Sequence, residues 1–174
     1  MATIDDITEG ADVGKGTFYY HFRNKETLVR DMIREVMHGL VEAMTDEIGA
    51  AKRLDTVIDR IVVAHVKFFS DRWEDFTLYF QSRAELILEV GYEGLESPFV
   101  EYLDCIERHV APSLRQKVTS RSLRRIACAV AGLVSGYYSF VLIETDNDQI
   151  EKVMSSVRGA LVAGLMEFAK KAIS

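Results

Sequence analysis

Proline occurs at only two of the 174 positions, and no stretch alternates apolar and polar residues as a half-buried strand would. With strands disfavoured, apolar residues recurring every three or four positions nearly throughout predict an all-α protein. Cysteine is as scarce. Cys105 and Cys128 stand far apart with no CxxC or Cys/His spacing, which argues against a disulfide framework or a zinc site and predicts two small buried thiols in a reducing cytoplasm. The chain also has no HExxH, GxSxG, GxGxxG or P-loop, so an enzyme has no positive support and neither a cofactor nor a metal is expected. His109 with Glu101 and Glu107 is a grouping that a single helix offers by chance.

The opening residues, MATIDDITEG, carry acids and no apolar run, so no secretory signal is expected. The uncharged run from Ile126 to Ile143 is at the lower edge of the ~20 residues a membrane span needs and is interrupted by Ser135, Tyr137, Tyr138 and Ser139. A helix buried on most sides of a bundle is the expected outcome, with no membrane partner. A net charge of −6 argues against an indiscriminate nucleic-acid binder, while 48% hydrophobic content suffices for a real core.

Against that acidic background, residues 13 to 25 stand out. VGKGTFYYHFRNK holds Lys15, Arg23, Lys25 and His21 and no carboxylate. On a helix starting near Lys15, Phe18 and Phe22 share one face, Gly16, Thr17 and Tyr20 share the other, and Tyr19 and His21 lie on the flanks. The phenylalanines can anchor while the rest is presented. Before this segment, residues 4 to 11 read as a short helix with Thr3 as N-cap and Asp6 as the acidic half of a capping box, and Gly14 gives the break. After it, Asn24 caps a long helix with an apolar stripe of Val29, Met32, Ile33, Val36, Leu40, Met44 and Ile48. Two short helices joined by a tight turn, the second carrying Lys, Thr, Tyr and His outward, make a helix-turn-helix able to enter a DNA major groove.

Taken as an ordered string, TIDDITEGADVGKGTFYYHFRNKETLV resembles the DNA-binding segment of the TetR (tetracycline repressor) family of one-component regulators. That pattern has a Thr opening the second helix, a recognition helix V-(S/G)-K-G-T-hydrophobic-Y-Y-H-F, and x-(N/S)-K-E-x-L opening the fourth. The resemblance covers residues 2 to 29; beyond it the likeness is architectural. It implies phosphate contacts from Thr3, Tyr19, Tyr20, His21 and Lys25, and base or near-base contacts from Lys15, Gly16 and Thr17, with Phe18 and Phe22 as core. The family pattern also begins with an amphipathic helix ahead of the Thr, which this sequence does not contain, so Ile4, Ile7, Phe18 and Phe22 are expected to lose cover. Gly14 stands where the family usually has Ser.

Further helices are expected at about 55–71, 75–90, 98–109 (with Ser97 as N-cap and Pro98 at the first helical position), 121–144 and 148–172. The resemblance therefore implies a helix-turn-helix domain over residues 1–45, lacking the family's first helix, and a C-terminal helical domain over 46–174 for ligand binding and dimerisation. A pocket is expected among His65, Phe68, Phe69, Trp73, Phe76, Tyr79, Phe80, Phe99, Tyr102, Cys105 and Met44, suiting an apolar or aromatic effector. His65 alone reads more readily as a satisfied core histidine. Small residues on the last two helices, Gly132, Ser135, Gly136, Gly159, Ala160, Ala163 and Gly164, let backbones approach closely and suit a four-helix homodimer interface, though ordinary packing within one chain is the alternative. The function expected is a ligand-responsive repressor that binds double-stranded palindromic operator DNA. The alternative is a helical ligand-binding dimer that does not bind DNA because the first helix is missing.

Overall fold

The structure, a computed structural model, describes residues 3–70, 72–87, 96–114, 118–144 and 149–173. These form eight α-helices and no strand: α1 (Ile4–Gly10), α2 (Lys15–His21), α3 (Lys25–Ile48), α4 (Leu54–Ser70), α5 (Trp73–Ile87), α6 (Glu96–Val110), α7 (Ser120–Glu144) and α8 (Ile150–Ile173), with a 3-10 turn at Ala111–Ser113. The all-α expectation holds.

Helix α3 is amphipathic, and its buried side is Ile33, Val36, Met37, Leu40, Met44 and Ile48. Met32, expected in that stripe, is exposed, and Met37 takes its place. At 100° per residue Met32 falls about 80° from Leu40, off the edge of the buried arc, whereas Met37 falls inside it. The helix ends at Gly49, whose φ of 50° is a conformation that L side chains rarely adopt. Its buried side packs on α4, α5 and α6, while α8 lies against α4 and α7. Gly39 lets α3 approach α4, since a Cβ there would come within 3.1 Å of the Phe68 ring.

One buried cluster unites α3 to α8, from Ile33 through Ile58, Phe69, Tyr102 and Tyr138 to Ala169. Ion pairs lace its surface: Glu47 of α3 meets Arg60 and Lys67 of α4 at 2.6 and 2.8 Å, Arg124 of α7 meets Asp104 and Glu107 of α6, each at 2.6 Å, and Arg158 of α8 meets Asp59 of α4 at 3.1 Å. Helix α6 starts at Glu96, so Pro98 lies buried within its first turn rather than at the first helical position. Proline is tolerated there because the first-turn N–H groups have no partner inside the helix. No helix among the described residues is long and apolar enough to cross a membrane.

Candidate nucleic-acid interface

The small unit built from α1, α2 and the start of α3 is fixed by local hydrogen bonds. At the head of α1 the expected capping box forms: Thr3 N–H donates to Asp6 Oδ2 at 2.7 Å, and Asp6 N–H donates to Thr3 Oγ1 at 3.2 Å. The backbone bond from Thr3 comes first among the causes that hold the Asp6 carboxyl below its usual range. Because Thr3 Oγ1 accepts, its own proton remains to donate outward, as a phosphate contact would need.

Helix α1 ends in a Schellman motif. Asp12 N–H donates to Glu9 O at 3.1 Å and Val13 N–H to Thr8 O at 3.0 Å, with Asp12 in the left-handed region at φ 52°. The reversal therefore sits at Asp12, not at Gly14 as the sequence suggested. Gly14 is instead the extended N-cap of α2, with φ −76° and ψ 153°, and its carbonyl accepts from Thr17 N–H at 2.9 Å. It offers no side-chain cap. Asn24 Oδ1 caps α3, accepting from the backbone N–H and the hydroxyl of Thr27 at 2.9 and 2.7 Å.

Helix α2 divides its residues as the periodicity required. Phe18 is buried outside the main cluster, with the Tyr19 and Phe22 rings 5.4 and 5.7 Å away. Ile4, Ile7 and Phe22 are partly buried, so the expected loss of cover does not extend to Phe18. Lys15, Gly16, Thr17, Tyr19, Tyr20 and His21 are all exposed, Tyr20 at 85%. Tyr20 and His21 meet edge to face at 4.9 Å, which orders two donors on one rim. A Cβ at Gly16 would meet nothing within 4 Å, so the fold itself does not require glycine there. Lys25 opens α3 with its side chain half-buried. The structure thus brings the eight sequence-predicted DNA contacts into one compact unit, with six of them exposed on α2.

One contact had no sequence signal. Lys15 Nζ lies 2.6 Å from Asp5 Oδ1, on side chains that are 60% and 66% exposed. The Asp5 carboxylate, by hydrogen bond first and charge second, holds the Lys15 ammonium above the ordinary lysine range.

Residues 1–32 match the family model described as bacterial regulatory proteins, tetR family. The match places the helix-turn-helix segment with the tetR family. No curated protein matches the chain. Among solved structures it is similar to the crystal structure of a TetR family transcriptional regulator, PfmR from Thermus thermophilus, at 15% identity over 93% of this chain and 88% of that one, with a TM-score of 0.67. That likeness carries the TetR fold across the whole bundle, beyond the segment the family model covers.

In the body of the chain, His65, Phe69, Phe76, Tyr79, Tyr102 and Cys105 are buried, Phe68 and Phe99 are half-buried, and Phe80 is 43% exposed. The side chain of Trp73 lies outside the described residues. The rings run in contact from Phe68 through Phe69 and Phe76 to Tyr79, Phe99 and Tyr102. His65 Nδ1 donates to the Ile61 carbonyl at 2.7 Å, which leaves Nε2 to accept from the Tyr102 hydroxyl at 2.6 Å. Burial pushes the imidazole from 6.5 to about 4, so it is neutral, outweighing the Ile61 bond that acts the other way. Cys105 Sγ lies 3.9 Å from the Thr45 hydroxyl, whereas Cys128, expected to be buried, is exposed.

A groove of about 710 Å³ runs between α3 and α4, where Phe68 is joined by Ala43, Asp46, Glu47, Arg60, Ala64, Lys67 and Arg72. Its charged lining is more polar than the aromatic pocket expected from sequence. The Arg72 guanidinium sits 4.8 Å from the centre of the Phe68 ring. On the last two helices Gly132 and Gly136 are half-buried, and Gly159, Ala160, Ala163 and Gly164 are exposed. None of these four glycines has an atom near where a Cβ would stand. Ser135 departs from them: it is buried, and its hydroxyl donates to Ala131 O at 2.6 Å. No group of His, Cys, Asp and Glu suited to a metal occurs among the described residues.

Proposed function

We propose that the chain is a TetR-family regulator, a ligand-responsive repressor that binds a palindromic operator as a homodimer and leaves it when a small apolar or aromatic molecule enters the helical bundle. The observation that carries the DNA-binding part is the outer side of α2, where Lys15, Gly16, Thr17, Tyr19, Tyr20 and His21 are exposed around a buried Phe18. Tyrosine hydroxyls, Thr3 and the amines of Lys15 and Lys25 suit phosphate oxygens. The Thr17 methyl and hydroxyl suit a thymine or another base edge, and Gly16 leaves room for close approach.

Residues 1–45 would then read DNA, and 46–174 would sense ligand and dimerise. Dimerisation is supported by apolar side chains left on the outside of α7 and α8, namely Leu133, Phe140 and Phe168, beside the open glycines. A two-fold pairing of these helices would set two copies of α2 about one DNA turn, ~34 Å, apart. The aromatic run from Phe68 to Tyr102 supports an apolar or aromatic effector. Helix α3 starts in the DNA-facing unit and packs along the bundle, so an effector that favours a different α3 position shifts the population away from the spacing DNA needs.

Fluorescence anisotropy on labelled DNA flanking the chain's own gene, beside an unrelated duplex and at two salt concentrations, tests this. Sequence-selective binding that weakens steeply with salt and is reversed by an effector is expected. Binding to neither duplex would leave a helical ligand-binding dimer.

A further inference from the structure

The ion pair between α1 and α2 has a consequence for how tightly the protein holds any DNA. Lys15 is the first residue of α2, where a positive charge is disfavoured by the helix dipole and Gly14 supplies no side-chain cap. Its ammonium is 2.6 Å from Asp5, in the first turn of α1. The neighbouring acid, Asp6, is engaged with the Thr3 backbone, so the two aspartates have separate partners. Both members of the Lys15–Asp5 pair are more than half exposed, on the unit that carries the proposed DNA contacts.

We propose that Asp5 occupies, in the free protein, the place of a DNA phosphate on Lys15, so that binding exchanges one anion for another and Asp5 sets a ceiling on sequence-independent affinity. The proposal rests on the DNA-binding function above. A lysine already neutralised by a carboxylate gains less from a phosphate than a free one, and the displaced carboxylate is left beside a polyanion. The exchange also removes one source of counterion release. A free lysine that neutralises a phosphate adds about 0.9 to the magnitude of the salt slope, whereas a lysine traded between two anions adds little. Both effects ignore sequence, so Asp5 lowers operator and non-operator affinity by similar factors.

The test is anisotropy on the flanking and the unrelated duplex with four full-length proteins: wild type, Asp5→Asn, Lys15→Met and the double variant, each checked for an unchanged helical circular dichroism spectrum. Asp5→Asn is expected to bind both duplexes roughly two- to fivefold more tightly at low salt, the range of an exposed ion pair, with a salt slope steeper by about one. Lys15→Met should weaken both, and the gain from Asp5→Asn should shrink in the Lys15→Met background, where only the repulsion between carboxylate and DNA is left to relieve. Unchanged or weaker binding by Asp5→Asn overturns the proposal, as does a gain of the same size without Lys15, because the carboxylate would then act on DNA alone and not through Lys15. If Lys15→Met weakens binding while Asp5→Asn does nothing, the DNA-binding function stands and this proposal alone falls. If no protein binds either duplex at low salt, both fall.

Discussion

Tyr20, 85% exposed on a seven-residue helix, has little to do for the fold. Its removal separates the two tasks of α2. Tyr20→Ala is expected to leave the thermal midpoint nearly unchanged and to weaken operator binding by roughly tenfold, on the order of one charge-assisted hydrogen bond. Gly16→Ala goes further, because a Cβ there meets nothing in the protein and alanine is the better helix former by ~1 kcal/mol. Thermal denaturation should show an equal or higher midpoint, while anisotropy should show weaker binding if DNA approaches the Gly16 backbone. His65 contributes a pH dependence. Its folded-state value of about 4 lies below the unfolded 6.5, so the unfolded chain takes up the proton first as pH falls. The neutral pair with Tyr102 contributes fully above about pH 6.5, and ~3 kcal/mol is lost by pH 4. Urea denaturation at pH 7, 6 and 5 should show this fall in wild type and a shallower one in His65→Gln.

Among the elements, the α1–α2 turn is the most improvable. Asp12 holds a left-handed conformation that glycine adopts without steric cost, so Asp12→Gly should raise stability by about 0.5–1 kcal/mol, measurable as a higher midpoint. Much of this part of the fold was legible in the sequence, because caps and stripes are local. Thr3 with Asp6, Asn24 ahead of Lys25, and Phe18 opposite Tyr20 each follow from spacing within one or two turns, and all appear as expected. What escaped was tertiary or conformational. Nothing in GADVG marks Asp12 over Gly14 as the pivot, since both residue types suit turns. The Asp5–Lys15 pair spans that turn and depends on the angle between two helices. The charged groove, formed where Arg60 and Lys67 of α4 face Asp46 and Glu47 of α3, depends on how those helices pack. Ser135 shares its heptad with Gly132 and Gly136, yet faces inward because the small residues of α7 do not all lie on one side.

At the scale of the molecule, one long helix connects a small exposed unit to a bundle whose last two helices leave Leu133, Phe140 and Phe168 uncovered. If those surfaces pair about a two-fold axis, a bulky charge at their centre must separate the protomers and, with them, the two copies of α2. Ala163→Arg, on an exposed alanine of α8, is therefore expected to give a folded monomer by analytical ultracentrifugation. Its operator affinity should fall towards that for unrelated DNA. The most direct test of the central claim is hydroxyl-radical footprinting of the wild-type protein on the DNA flanking its own gene. Two protected half-sites related by a dyad and spaced about one turn, ~34 Å, on one face of the duplex are the predicted result. Uniform protection without half-sites, or none at protein concentrations that saturate the DNA-binding unit, would contradict it.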